Sequence, residues 1–529
     1  MKVDKLHIRS RFKNLENVKV DFDEDHLMTV VVGRNGSGKS NILEALVAIF
    51  RNLDLGEAPP FSYELVYRLG ERDNPNKPSE RWLEITIDAD PDRGTLAKQY
   101  EVRVRDLLRD DVLSEQPSSI IIPFSKVKRD KSGNAPYLPN YVFAYYSGPS
   151  DRLENHFKKH RTDFYRRLLE DKLDLKGDIR PLFYAKPHHS QFVLLAFFLS
   201  EHDSNEKAFL REHLGIEGLD SIHFVMRQPG WAKQKGELFW GARGVVRRFL
   251  DELIQHTLAP IKVTRQEDTS LTGNNIRNEF LHLFLPDLSA LRAFAKTLSD
   301  DELFKMLEST LLSEIISEVS IRVKVSSSPE PLTFRELSEG EQQLLTVLGL
   351  LKFTGGKDSL FLLDEPDTHL NPSWAVKYLS FLDKFVPNHE TSHLLMVTHH
   401  PLAIAELKKE QVQVMKRDDD MQISAKMPDE SPRGMGINLI LRSDMFGLKT
   451  TLDDDTNQKL TSRNALAAKE ILSKEKIIRE QGFPPEDEEQ YLARLNAELE
   501  RLGFNLATDD PDYFEFLRHK YHIKYEEIH

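Results

Sequence analysis

Gly33-Arg34-Asn35-Gly36-Ser37-Gly38-Lys39-Ser40 is the stretch that decides how the chain is read. It has the spacing of a P-loop, a glycine-rich turn closed by Lys and Ser. Its flanks supply the required context. Met28 to Val32 is an apolar, β-branched run that predicts a buried strand, and Asn41 to Phe50 carries apolar residues at helical spacing. A glycine turn between a strand and a helix points backbone N–H groups and the helix N-terminus at one anion. Lys39 is expected to reach the β- and γ-phosphates of ATP or GTP, and the Ser40 hydroxyl to ligate Mg2+. The residues expected against the nucleotide are Arg34, Asn35, Gly36, Ser37, Gly38, Lys39, Ser40 and Asn41.

Composition sets the frame around this loop. A length of 529 residues suits about three domains, and 40% hydrophobic residues suffice for sizeable cores. A net charge of −13 argues against a general nucleic-acid coat protein while permitting local basic surfaces. With no cysteine there are no disulfides, thiolate zinc sites or thiol catalysis. Met1-Lys2-Val3-Asp4-Lys5 places charges where a signal peptide needs an apolar stretch. No run of ~18 apolar residues predicts a membrane span. The expectation is a cytoplasmic chain without membrane contact.

Along the chain, Val3–Ile8 and Val18–Phe22 alternate as strands ahead of the P-loop strand. Arg11-Phe12-Lys13-Asn14 lies between them, either near a nucleotide base or as an ordinary surface turn. Short alternating runs follow at 63–67, 82–87, 100–104, 120–122 and 141–146, predicting an antiparallel β-lobe. Residues 148–318 have helical texture, with helices expected at 152–171, 190–202, 205–213, 241–256 and 287–317, and this segment is read as a helical insertion lobe. Val319–Val325 alternates as a strand. The chain therefore divides into residues 1–147 and 319–415 as two halves of a head, 148–318 as the insertion, and 416–529 as a mainly helical extension that binds a partner.

The second half of the head carries more chemistry. Leu337-Ser338-Glu339-Gly340-Glu341-Gln342-Gln343 precedes an apolar helix. Ser338 and the N–H of Gly340 can form a second anion pocket at its N-terminus, with Glu341 beside them. Ser338 and Glu341 equally satisfy a capping box. Leu360-Phe361-Leu362-Leu363-Asp364-Glu365 is an apolar strand ending in two acids, and Pro366-Asp367-Thr368-His369-Leu370-Asn371-Pro372 follows directly. Strand Leu394–Thr398 ends at His399.

In this order the motifs resemble ABC-type ATPases of the RecF/SMC and overcoming-lysogenization-defect group. The resemblance implies an α/β P-loop head with a mixed sheet, flanking helices and an antiparallel lobe, using ATP and Mg2+. Asp364 would hold Mg2+ through water, Glu365 would polarise the attacking water, and His399 would bond the γ-phosphate. The signature Leu337–Gln343 would cap ATP held by a second copy, and the 366–372 loop would touch that copy. Gln191, heading an apolar helix after Pro187-His188-His189, is the candidate Q-loop residue on Mg2+, or simply a glutamine at a helix N-terminus. Tyr145–Ser150, Lys186–Gln191 and Ser443–Leu448 narrow the resemblance to PtuA-type ATPases of Septu and retron-linked antiphage systems. Those work with an HNH nuclease, PtuB, so this nuclease and DNA or a retron RNA–DNA become expected partners. A repair ATPase of RecF type without a nuclease is the alternative. A transporter ATPase would not split its motifs around residues 51–336.

Other patterns weigh less. His389-Glu390-Thr391-Ser392-His393 is a literal zinc-protease motif, but it follows a helix and enters a strand, so its histidines diverge. His188-His189 and His399-His400 lack a third ligand nearby in sequence. Asp418–Asp420 and Asp453–Asp455 sit in polar turns rather than on strand ends, so no internal nuclease is expected. Arg152–Arg167 and Arg227–Arg248 are basic, and the second also holds Trp231, Phe239 and Trp240. Each is a nucleic-acid surface or a solvated helix face.

Overall fold

The computed structural model describes residues 1–467 and 488–502, apart from 73–78, 109–118, 131–132, 171–179, 202–203, 233–236, 269–274 and 419. At its centre is a seven-stranded sheet. In spatial order its strands are Leu182–Tyr184, Tyr141–Tyr146, Ser359–Asp364, Ser392–Val397, Met28–Gly33, Val412–Arg417 and Ile423–Lys426. All neighbours are parallel except the last pair, which is antiparallel. The three middle strands are buried along their whole length, as their continuous apolar sequences demand for a sheet covered on both faces. Val31, Leu360, Leu362, Leu395 and Val397 point into one core, with helix Lys39–Leu55. Val30, Val32, Phe361, Leu363, Leu394 and Met396 point into the other, with helices His189–Phe197, Glu339–Thr354 and Pro372–Phe385.

Register places the site. Asp364 is paired with Tyr146 on one side and Val397 on the other, and Val397 with Val31. The P-loop, Glu365, His399 and the segment after Tyr146 therefore leave the sheet along one edge. In open parallel sheets ligands bind in that crevice, at the carboxyl ends of the strands.

The antiparallel lobe expected near the N-terminus is a six-stranded sheet, built of Val18–Asp21, Lys2–Ile8, Tyr63–Gly70, Trp82–Ala89, Tyr100–Asp106 and Ser119–Ile122 in that order. Tyr141–Tyr146 does not join it. That strand lies beside the acid-tipped strand in the central sheet. Its run of Tyr, Val, Phe, Ala, Tyr, Tyr is buried almost throughout, the pattern of an interior parallel strand.

The insertion corrects a second expectation. Its helices are present at Glu154–Leu169, His189–Phe197, Asn205–Glu212 and Gly244–Gln255, and the stretch 287–317 divides into Leu288–Phe294 and Asp300–Leu312. These pack against a five-stranded antiparallel sheet, so the lobe is mixed α/β rather than helical. Leu258–Asp268, Asn275–Leu285, Ile216–Arg227, Ile316–Val325 and Ser328–Thr333 compose it in spatial order. Its edge strands carry Pro260, at a register shift, and Pro329 and Pro331, residues that lack the ladder N–H. Prolines in such runs read as breakers, which hid the two edge strands.

The boundary expected between residues 415 and 416 falls inside strand Val412–Arg417. The first compact unit continues to Ile440 and takes in Asp444–Phe446. The second begins around Leu441, and its described helices are Asp454–Ala467 and Glu488–Arg501, joined by the Lys459–Glu498 ion pair at 2.9 Å. The rest of the helical stretch expected to 480, and the aromatic tail after 512, lie outside the described residues. Among the described residues no helix is long and apolar enough to cross a membrane.

Candidate nucleotide site

The P-loop has the geometry its glycines predict. Gly33, Gly36 and Gly38 have φ of 144°, 80° and 89°, all outside the space of ordinary residues. At Gly33 a Cβ would lie 2.2 Å from the Met415 carbonyl oxygen, so the neighbouring strand also excludes a side chain. Helix Lys39–Leu55 starts from Gly38 with no side-chain cap, which leaves its first N–H groups to a ligand. The buried Ser37 Oγ has no hydrogen-bond partner. Lys39 is buried, its Nζ donating to the carbonyls of Gly33 (2.9 Å) and Arg34 (3.0 Å), and burial lowers its pKa to about 8. Arg34 and Gly36 stand exposed, while Asn41 donates to Asn14, which in turn donates to the Gly36 carbonyl. The Arg11–Asn14 turn thus braces the P-loop.

The acids meet the loop directly. Ser40 Oγ donates to Asp364 Oδ1 at 2.8 Å. Burial pushes the Asp364 carboxyl up to about 6, against the Ser40 hydrogen bond and Arg152. Arg152 Nη2 donates to Asp364 Oδ2 at 2.7 Å and lies 4.9 Å from the centre of the Tyr146 ring. Sequence reading placed Arg152 in a basic patch. Only the parallel register of Tyr141–Tyr146 brings it to Asp364, and that register was not foreseen.

Glu365 holds a φ of 51°, an uncommon left-handed conformation for a residue with a side chain. Its N–H is bonded to the Val397 carbonyl, and its Oε1 lies 3.2 Å from His399 Nε2. Burial and the Lys39 cation lower the His399 pKa, while Glu365 opposes this, so a neutral imidazole is favoured at pH 7. Asp367 is buried, accepts the Thr398 hydroxyl at 2.6 Å and is pushed up to about 6 by burial. That bond ties the loop after Glu365 to the strand end carrying His399.

Ser338, Gly340 and Glu341 stand at the start of helix Glu339–Thr354, which meets the loop after Glu365. Ser338 Oγ accepts from the Glu341 N–H (3.3 Å), while Glu341 Oε2 accepts from the Ser338 N–H (2.6 Å) and hydroxyl (2.7 Å). The capping box is formed in full. A Cβ on Gly340 would lie 2.4 Å from the His369 carbonyl oxygen, so glycine lets this helix start against the loop after Glu365. Gln343, which sequence reading did not single out, clamps that loop. Its Oε1 accepts from the His369 N–H (3.1 Å) and its Nε2 donates to the Glu365 carbonyl (3.4 Å). Among the described residues, the signature residues bond within their own helix and to this loop, and none bonds the P-loop.

Gln191 stands in the first turn of helix His189–Phe197, where it makes no side-chain hydrogen bond to Ser40, Asp364 or Glu365 among the described residues. Its neighbours are more informative. Glu308, buried, brings a third potential ligand to His188 and His189, correcting the expectation that none lies near. The cluster is nevertheless unsuited to a cation. Arg180 already pairs with Glu308 at 2.8 Å. His189 Nδ1 accepts from the Lys186 N–H, which leaves Nε2 carrying the proton it donates to Glu308 at 2.7 Å. A metal-bound histidine donates from its other nitrogen instead. The literal zinc motif also comes apart: His389 bonds Asp383 in a turn, whereas His393 is buried in a strand against Val3 and Thr29.

The residues fit Mg2+ and a polyphosphate. Ser40 and Asp364 offer hard oxygen donors side by side, and the orphaned Ser37 hydroxyl and uncapped helix await an anion. Bound there, Mg2+ would neutralise phosphate charge.

Comparison with known proteins finds ATPase-domain models matching both parts of the head. The family model described as "AAA ATPase domain" matches residues 1–179. A second, "AAA domain, putative AbiEii toxin, Type IV TA system", matches residues 279–405. Septu protein PtuA of Bacillus mycoides (strain KBAB4) is 28% identical over 199 residues, which is 35% of this chain and 27% of the relative. The match thus spans about a quarter of that protein's length. Among solved structures, the SMC head domain of Thermotoga maritima aligns with 81% of this chain and 99% of its own at 12% identity and a TM-score of 0.27. Stu0660 of Streptococcus thermophilus aligns with 86% of this chain and 99% of its own, at 11% identity and a TM-score of 0.27. With AAA-type models matching both parts of the head and a PtuA among its relatives, the chain carries P-loop ATPase domains of the AAA kind and is similar to a Septu PtuA.

Proposed function

We propose that the chain is the ATP-driven switch subunit of a PtuA-like antiphage complex. Two heads close on two ATP molecules, each held by one P-loop and capped by the other copy's signature helix. Hydrolysis reopens them and so controls a partner nuclease of HNH type. The observation that carries this reading is the division of the site. Lys39, Ser40, Asp364, Glu365 and His399 converge at one sheet edge, whereas among the described residues the Ser338 side chain bonds its own helix and Gly340 packs on the loop behind the acids.

In this scheme Glu365, poised against His399, draws a proton from water, and Lys39 and the loop N–H groups stabilise phosphate charge. His399, neutral and in contact with Glu365, reports whether the phosphate is present. Asp367 and Gln343 carry that information to the signature helix. The extension after residue 440 is the proposed nuclease-binding element, and DNA or an RNA–DNA hybrid the proposed further partner.

The test is capture from the native host with Glu365→Gln, which holds ATP without turning it over. The expected catch is an HNH protein, together with any bound nucleic acid. Recovery of repair proteins with no nuclease would contradict the defence assignment while leaving the ATPase intact.

A further inference from the structure

The insertion lobe contains a cavity of about 660 Å³ that the ATPase head does not use. Helix Glu154–Leu169 forms one wall with Leu168 and Leu169, and the first turn of helix Gly244–Gln255 forms another. Trp231 and Trp240 line it, and both indoles are fixed by their N–H groups. Trp231 donates to the Ser313 carbonyl at 2.8 Å and Trp240 to Glu279 at 3.0 Å. Its volume lies in the range of small-molecule sites, and its walls mix aromatic surface with a few polar groups, as such sites do.

Three features mark it as more than a packing defect. Phe239 and Trp240 are consecutive bulky residues with φ of 56° and 54°, a backbone conformation that side chains of this size rarely adopt. Strain of this kind clusters at ligand sites, where the surroundings hold it in place. It turns Trp240 into the cavity wall. Next, Arg243 lines the cavity and is exposed, and its side chain has no hydrogen-bond or ion-pair partner among the described residues. It is also the residue from which the helix starts, with no side-chain cap, so positive charge and unsatisfied N–H groups coincide. Lastly, the other cation at the wall, Arg247, is already held by Asp251 at 2.8 Å and by the Leu238 carbonyl at 3.1 Å. Among the described residues of the wall, Arg243 is thus the cation left for a ligand. Glu237, beside Gly241, supplies an acceptor at the same wall.

Fixed indoles suit a planar aromatic ring. A guanidinium without a partner among the described residues, on the residue that starts an uncapped helix, suits a phosphate. A carboxylate suits a sugar hydroxyl or an exocyclic amine. We propose that this cavity is a second nucleotide site, separate from the P-loop, which takes one base and its phosphate. The unit is either a free nucleotide or an unpaired nucleotide of a polynucleotide.

Intrinsic tryptophan fluorescence of the full chain with Lys39→Ala is titrated with the nucleoside monophosphates in one arm and with single-stranded oligo(dT) and oligo(A) in the other. The expected result is quenching that Arg243→Ala weakens roughly tenfold or more, the loss of a charge-assisted phosphate contact. In the otherwise wild-type chain, Arg243→Ala leaves ATP turnover unchanged. Quenching by monophosphates identifies a free nucleotide, and quenching by oligonucleotides alone identifies a polynucleotide. No quenching in either arm, or quenching that Arg243→Ala and Arg243→Glu leave unaltered, overturns the proposal without touching the ATPase assignment.

Discussion

The head has two helix N-termini built for opposite purposes. Helix Lys39–Leu55 begins at a left-handed glycine, with no side-chain cap, a buried Ser37 hydroxyl without a partner, and a lysine folded back on the loop carbonyls. Helix Glu339–Thr354 begins with a capping box, in which Ser338 accepts from the Glu341 N–H and Glu341 from the Ser338 N–H. An α-helix leaves four N–H groups free at its start, and whatever satisfies them decides whether that end is a site. The first is a standing anion receptor. The second is capped by its own Ser338 and Glu341 within one head. Two serines at helix starts thus teach different lessons: Ser40 already touches the Asp364 carboxylate, while Ser338 touches only its own helix.

The comparison can be broken at its strongest point first. Glu365→Gln keeps shape and removes the base, so turnover should fall about 10²–10⁴-fold with ATP still bound. Unchanged turnover in a phosphate-release assay would remove Glu365 from the chemistry. Lys39→Ala deletes the charge-assisted contact at the receptor end and should weaken ATP binding roughly 10–100-fold by calorimetry. Equal affinity would mean that the loop is not the receptor.

Protonation sharpens the acid side. The Asp364 carboxyl is raised from 3.8 to about 6 by burial, so it gains a proton as pH falls through 6. A neutral acid cannot hold a cation, and turnover should decline over that range. Stability moves the other way. The native state binds the extra proton, so this group's contribution rises as pH falls from about 6 toward 3.8. Thermal melts of nucleotide-free wild type against Asp364→Asn read this directly. A gap that widens in favour of wild type at higher pH would contradict it. At the signature end the effect is smallest. Ser338→Ala should lower stability by roughly 1 kcal/mol, the usual cost of a lost cap, without weakening ATP binding to an isolated head. Weakened binding there would place Ser338 in the same site as Lys39.

Much of this head was legible in the sequence. The P-loop, the acid-tipped strand and His399 announce themselves through glycine spacing and continuous apolar strands, signals that need no knowledge of neighbours. What stayed hidden depends on who lies beside whom. Arg152 looked like one more basic residue because its role follows from Tyr141–Tyr146 lying parallel to Ser359–Asp364. The two edge strands of the lobe sheet were masked by Pro260, Pro329 and Pro331, which edge strands tolerate. The basic helix Glu154–Leu169 illustrates the converse. Lys159 pairs with Glu57, Arg161 with Glu154 and Arg166 with Asp163, so much of that patch is neutralised within the fold.

The central claim is that the two helix ends complete each other only across two copies. Mixing two defective variants tests it most directly. Lys39→Ala lacks a working P-loop but keeps its signature, and Ser338→Arg keeps its P-loop but blocks the signature. Each alone should be nearly inactive. Mixed, they should regain ATP turnover, because a heterodimer restores one whole site. A mixture as inactive as its components, or full activity of Ser338→Arg alone, would contradict the shared site.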